Sequence, residues 1–119
     1  MNILRFEQGP RYSEMTVVDL GAAKLVYISG QVAQDTTLDI AGQTREVLGF
    51  IDRLLGEIGA SRCDIVSARV FLASVGDYAA MNEVWDEWID SGHTPARATV
   101  GAKLMQGSKV LIEVTAAIK

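Results

Sequence analysis

Hydrophobic and polar positions alternate along this chain with two different periods, and the two periods mark out its elements. From Gln43 to Ile58, Val47, Phe50, Ile51, Leu54, Leu55 and Ile58 recur at helical spacing, with Arg45, Glu46, Asp52, Arg53 and Glu57 on the other side. Gly59 is a natural stop. A second helix is expected over Asp77–Asp90, with Asp77 as its N-cap and Tyr78, Met81, Trp85, Trp88 and Ile89 as its apolar stripe. The remaining apolar runs have period two and read as strands: Ile3–Glu7, Thr16–Leu20, Leu25–Ser29, Asp64–Ala73, Ala96–Leu104 and Lys109–Ile118. The expected order is β-β-β-α-β-α-β-β in a single domain over residues 1–119.

Three of these strands carry a two-sided pattern. In the last, Val110, Ile112, Val114, Ala116 and Ile118 form an apolar face, opposite Leu111, Glu113, Thr115 and Ala117. Val66, Ala68, Val70 and Leu72 likewise alternate with Ile65, Ser67, Arg69 and Phe71. In the strand between, Ala96, Ala98, Val100, Ala102 and Leu104 alternate with Arg97, Thr99, Gly101 and Lys103. Side chains on a strand point alternately to opposite faces, so the apolar faces are expected under the two helices. The second, semi-polar face then has no helix to cover it. Association between subunits through that face is the expected solution, with Arg97, Glu113, Thr99 and Arg69 in or beside the interface.

Composition narrows the function classes. The 119 residues are 49% hydrophobic and 22% charged, ordinary values for a globular chain. The net charge of −4, with no basic stripe, argues against nucleic acid as a partner. Cys63 and His93 are the only residues of their types, too few for the usual zinc site, and no metal is expected. A lone thiol fits a reducing compartment. The first residues do not read as a signal peptide, and no apolar run is long enough for a membrane span, so the expected location is cytoplasmic.

Individual residues carry candidate chemistry beside plainer readings. Arg97 offers a planar fork of donors that matches a carboxylate, or forms an ordinary surface or interface ion pair. Glu113, between Leu111 and Thr115, can exchange protons with a water, or pair with Arg97, Arg69 or Lys103 to hold strand register. Cys63 has no cluster of bases around it in sequence, and His93 falls in a turn after the second helix. There is no glycine-rich phosphate loop.

Taken in order, Tyr27-Ile28-Ser29-Gly30-Gln31, Asp77-Tyr78-Ala79-Ala80-Met81-Asn82, Pro95-Ala96-Arg97 and Ile112-Glu113-Val114 are more specific than any residue alone. The series resembles the Rid family of imine deaminases, also called the YjgF family. The segments Met81–Trp88 and Gly92–Arg97 look closest to a YoaB-like branch. The resemblance covers nearly the whole chain. It implies an α+β, chorismate-mutase-like fold: a mixed sheet with two helices on one face, assembled as a homotrimer around a barrel-like core.

The resemblance also implies hydrolysis of 2-aminoacrylate or 2-iminopropanoate-type substrates to 2-oxo acids and ammonia, with no cofactor. Arg97 would then clamp the substrate carboxylate, and Glu113 would activate water and assist proton transfer. Ser29, Asn82, Thr99 and Tyr12 would bind substrate or support the pocket between subunits. The chain departs from the RidA pattern at Thr99, where a cysteine is usual, at Gly9-Pro10-Arg11-Tyr12, where Arg11 competes with Tyr12 for the pocket, and in the length of Met105–Ser108. The alternative reading is a non-catalytic trimer that binds small carboxylate metabolites for regulation. In either case the partners are a small carboxylate and further copies of the chain, without nucleic acid or membrane.

Overall fold

A computed structural model describes all 119 residues. The strands are β1 (Asn2–Gln8), β2 (Ser13–Asp19), β3 (Lys24–Val32), β4 (Ile65–Leu72), β5 (Ala96–Gly101) and β6 (Val110–Ile118), and the helices are α1 (Ile40–Glu57) and α2 (Tyr78–Trp88). They form one mixed six-stranded sheet in the order β1-β2-β3-β6-β4-β5. Every pairing is antiparallel except that of β4 with the edge strand β5. Parallel strands need a crossover, and α2 supplies it. The α+β architecture and the element order agree with the sequence pattern.

α1 starts three residues before the expected Gln43, because Asp39 caps it by accepting a hydrogen bond from the Gly42 amide at 2.8 Å. Gly59, at φ +73°, ends the same helix in a conformation that disfavours any side chain. Asp77 does hold the N-cap position of α2, but its side chain makes no capping hydrogen bond. Tyr78, expected in the apolar stripe, is instead exposed, and Val84 takes the buried place beside Met81 and Trp85.

The core is one cluster of 22 buried residues between the helices and one sheet face. It includes Val47, Leu48, Ile51, Leu54 and Leu55 of α1, and Val110, Ile112, Val114 and Ala116 of β6. Gln43 is fully buried among them yet fully used. Its amide donates to the Gly107 carbonyl at 3.0 Å, and its oxygen accepts from the Lys109 amide at 2.9 Å. This clamps the 105–109 loop to α1 at the point where β6 begins. The register that follows sets Glu113 opposite Arg69.

The expected faces need two corrections. On β4, an irregularity between Ile65 and Ser67 lets Ile65 turn into the core while Val66 is half exposed. On β5 the expectation is reversed along the whole strand. Arg97 pairs with the buried Ala68 and Thr99 with the buried Val70, so both stand on the helix side. Ala98 pairs with Arg69 and Val100 with Phe71, so the apolar residues of β5 face away from the helices. The reason lies in the edge position beside α2: the Arg97 guanidinium finds Asn82 and the Trp85 ring on that helix, partners that small alanines there could not use.

Candidate functional site

Arg97 is held from two sides by α2. Its Nη2 donates to Asn82 Oδ1 at 2.8 Å, and the guanidinium carbon lies 5.0 Å from the centre of the Trp85 ring. Asn82 and Trp85 lie three residues apart on α2, so one helix turn presents both. A stacked guanidinium with one donor engaged keeps further N–H groups for an anion. Tyr78, one turn before Asn82, completes this group. Hydrogen bonding from the Asn82 side chain, and then the Arg97 charge, hold its phenol below the ordinary value of 10.0.

Two residues along β5, the Thr99 hydroxyl is buried and has no hydrogen-bond partner within the chain. An unpaired buried hydroxyl is costly, by about 1–3 kcal/mol. It stands on the same strand face as Arg97 and is covered within the protomer.

The opposite face of the sheet carries the other expected residues. Glu113 is ion-paired with Arg69 across the β4–β6 ladder, the plainer of its two sequence readings. Tyr12, Ser29 and Glu113 line one shallow hollow of about 560 Å³ with Lys103, Phe71 and Leu111. A second hollow of about 260 Å³ is lined by Glu113, Arg69, Ser29, Tyr27 and Thr115. Arg11 lines neither; it sits by Glu7 and Glu14, so Tyr12 is the member of that loop that shares a hollow with Glu113.

Ser29 and Gly30 sit where the β3–β6 register shifts between Ile28 and Gln31. A Cβ on Gly30 would come within 2.8 Å of Leu111 Cδ2, so the bulge is built for close approach. Gln31 and Glu14 belong to this corner and were not picked out as site residues from the sequence. Gln31 Nε2 donates to Glu14 Oε2 at 2.7 Å and lies 3.2 Å from Ser29 Oγ. Pairing across β2 and β3 brought them together, and no linear spacing signals it.

The expected residues therefore fall into two groups. Arg97, Asn82 and Thr99 gather on the helix side of the sheet edge, with Tyr78 and Trp85. Tyr12, Ser29 and Glu113 gather on the open face, with Arg69 and Lys103.

Comparison with known proteins adds the following. The family model described as Endoribonuclease L-PSP matches residues 4–118. A RutC family protein of Haemophilus influenzae is 45% identical over 105 residues, 87% of each chain. The RutC family protein YoaB of Escherichia coli is 36% identical over 119 residues, 99% of this chain and 100% of that one. The crystal structure of a YjgF family member from Neisseria meningitidis superposes with a TM-score of 0.92 at 40% identity, covering 100% of this chain and 97% of that one. No helix of the chain is long and apolar enough to cross a membrane.

Proposed function

This chain belongs to the Endoribonuclease L-PSP family, which takes in RutC and YjgF proteins, and from that premise we propose that it hydrolyses small carboxylate-bearing imines and enamines to 2-oxo acids and ammonia. The observation that carries the reading is the Arg97 fork, fixed by Asn82 and Trp85. Such a fork suits a carboxylate clamp, built on a strand rather than on a loop.

Arg97 and Glu113 face opposite sides of the sheet, and two inter-strand spacings of ~4.8 Å separate their strands. A substrate of a few atoms cannot touch both within one protomer. The functional site is therefore a pocket between copies of the chain in a homotrimer, with the Arg97 group from one protomer and the Glu113 group from its neighbour. The partly apolar open face, with Tyr27 and Val100 each more than 40% exposed, is the surface through which the copies associate.

In this pocket Arg97 holds the carboxylate and aims the C=N carbon at a water on Glu113. Glu113 takes a proton as the water oxygen bonds to that carbon, giving a tetrahedral aminoalcohol. The same proton passes to nitrogen, Glu113 then takes the hydroxyl proton and delivers it to the amine, the C–N bond breaks, and ammonia leaves as the oxygen becomes the keto group. Orientation and proton transfer suffice because the carbon is already electrophilic. Thr99 backs the Arg97 strand, and Ser29 and Tyr12 line the water side. RNA cleavage, suggested by the name of the family model, fits less well with a net charge of −4.

The test is to generate 2-iminopropanoate in situ and follow its decay with and without the chain. Acceleration that disappears in Arg97→Ala and Glu113→Gln supports hydrolysis. Carboxylate binding by the native chain, lost in Arg97→Ala, without any acceleration of imine decay points to the regulatory reading instead.

A further inference from the structure

Away from these groups, three side chains with metal-ligating atoms converge where the link from α2 to β5 passes the turn before β4. Cys63 lies in a single 3-10 turn, Arg62–Asp64, while Asp90 and His93 lie in the link. Cys63 Sγ is 3.8 Å from Asp90 Oδ2, and His93 Nδ1 is 3.3 Å from Asp90 Oδ1. All three donor atoms lie within 4.8 Å of one another. Tetrahedral zinc, with bonds of ~2.3 Å to sulfur and ~2.0–2.1 Å to nitrogen and oxygen, spaces its donors about 3.3–3.6 Å apart. The widest separation, up to 4.8 Å, closes to that spacing by a shift of about 1–1.5 Å, within reach of side-chain rotation at these partly exposed positions.

The framework around them is set independently. Arg62 Nη1 donates to the Trp88 carbonyl at 2.6 Å and its Nη2 to Asp52 at 2.8 Å, tying the Cys63 turn to the end of α2. The Gly92 amide, donating at 2.8 Å, orients the Asp90 carboxylate. Asp64 is spent on capping the Ser61 amide and stays out of the cluster. One thiolate, one carboxylate and one imidazole suit a borderline-soft divalent ion, not magnesium or calcium, which prefer all-oxygen sites. Thiolate and carboxylate together balance a +2 charge. The exposure of Asp90 and His93, about half of each side chain, leaves a fourth position to water.

We propose that Cys63, Asp90 and His93 bind one zinc-class divalent cation per protomer, stapling the α2–β5 link to the turn before β4. His93 lies four residues before Arg97, so the staple holds the segment that leads into the carboxylate clamp. Counting His and Cys in the sequence misses such a site, because its third ligand is an aspartate brought in by the fold.

Cobalt(II) titration of the reduced protein tests this, since tetrahedral cobalt bound by a thiolate absorbs in both the near-ultraviolet and the visible. The expected result is saturation at one ion per protomer, displacement by zinc, and loss of the sulfur-to-cobalt band in Cys63→Ser. Asp90→Asn and His93→Ala each weaken binding about ten-fold or more. All three side chains are at least partly exposed, and circular dichroism checks that the variants keep their fold. Absence of the sulfur band, half an ion per protomer from thiols bridging two chains, or binding unchanged in His93→Ala would overturn the proposal. Zinc should also slow amide exchange over residues 90–96; unchanged exchange would overturn the staple.

Discussion

Arg97 and Glu113 point to opposite faces of one sheet, Arg97 toward α2 and Glu113 toward the face that no helix covers. A site that uses both must draw them from different protomers. In the proposed homotrimer, Arg97→Ala and Glu113→Gln should therefore each be inactive, and a refolded equimolar mixture should recover about a quarter of the activity, the fraction of junctions with both native residues. Imine decay rates of the two variants, separately and mixed, check this. An inactive mixture of well-assembled trimers would place both residues in one subunit's site or remove one from the chemistry.

In the proposed clamp, replacing the Arg97 fork removes two charge-assisted hydrogen bonds to the substrate carboxylate. At roughly 1.5–3 kcal/mol each, Arg97→Ala should lower kcat/KM by about 10²- to 10⁴-fold. Arg97→Lys should recover only part of this, because an ammonium cannot reproduce the fork. Steady-state kinetics of both variants give the comparison.

Glu113→Gln should act on turnover rather than on binding. Loss of a positioned proton carrier typically lowers rate by about 10²- to 10⁴-fold, while a carboxylate held by Arg97 keeps its affinity. A rise in KM with kcat unchanged would contradict the role given to Glu113.

Tyr78 reports on the Arg97 group without any substrate. Its phenol titrates below 10.0 because the Asn82 side chain and the Arg97 charge favour the phenolate. Asn82→Ala and Arg97→Ala should each move its midpoint upward toward that value, Asn82→Ala by the larger amount. Phenolate absorbance, with Tyr78→Phe identifying the signal among the 3 tyrosines, measures it. An unmoved midpoint in both variants would mean that Tyr78 does not sense this cluster.

Gln43→Ala leaves the Gly107 carbonyl and the Lys109 amide without the partners they have now. With the hydrogen bonds of a fully buried side chain lost, at about 0.5–1.5 kcal/mol each, the variant should lose about 1–3 kcal/mol in urea unfolding. It should also loosen the start of β6, seen as faster amide exchange at Lys109 and Val110. Native stability in this variant would show that water readily replaces the Gln43 contacts.

Periodicity alone determined a large part of this protein. The helical recurrence of Val47, Ile51, Leu54 and Leu55, and the alternation of Val110 through Ala116, are local statements about which side of an element is buried, and the core uses them all. The order of motifs from Ser29 to Glu113 was enough to identify the family. The same alternation misplaced β5, because an edge strand beside α2 does not need its apolar side inward. There the length and charge of Arg97, and a partner ring on Trp85, outweigh the burial of small alanines. Glu113 with Arg69, Gln31 with Glu14, and Cys63 with Asp90 and His93 are also beyond any linear pattern. Each depends on cross-strand register or on where a connecting segment passes, set by the packing of the chain as a whole. A strand's sequence states its period; only the tertiary structure decides which of its two faces meets the helices.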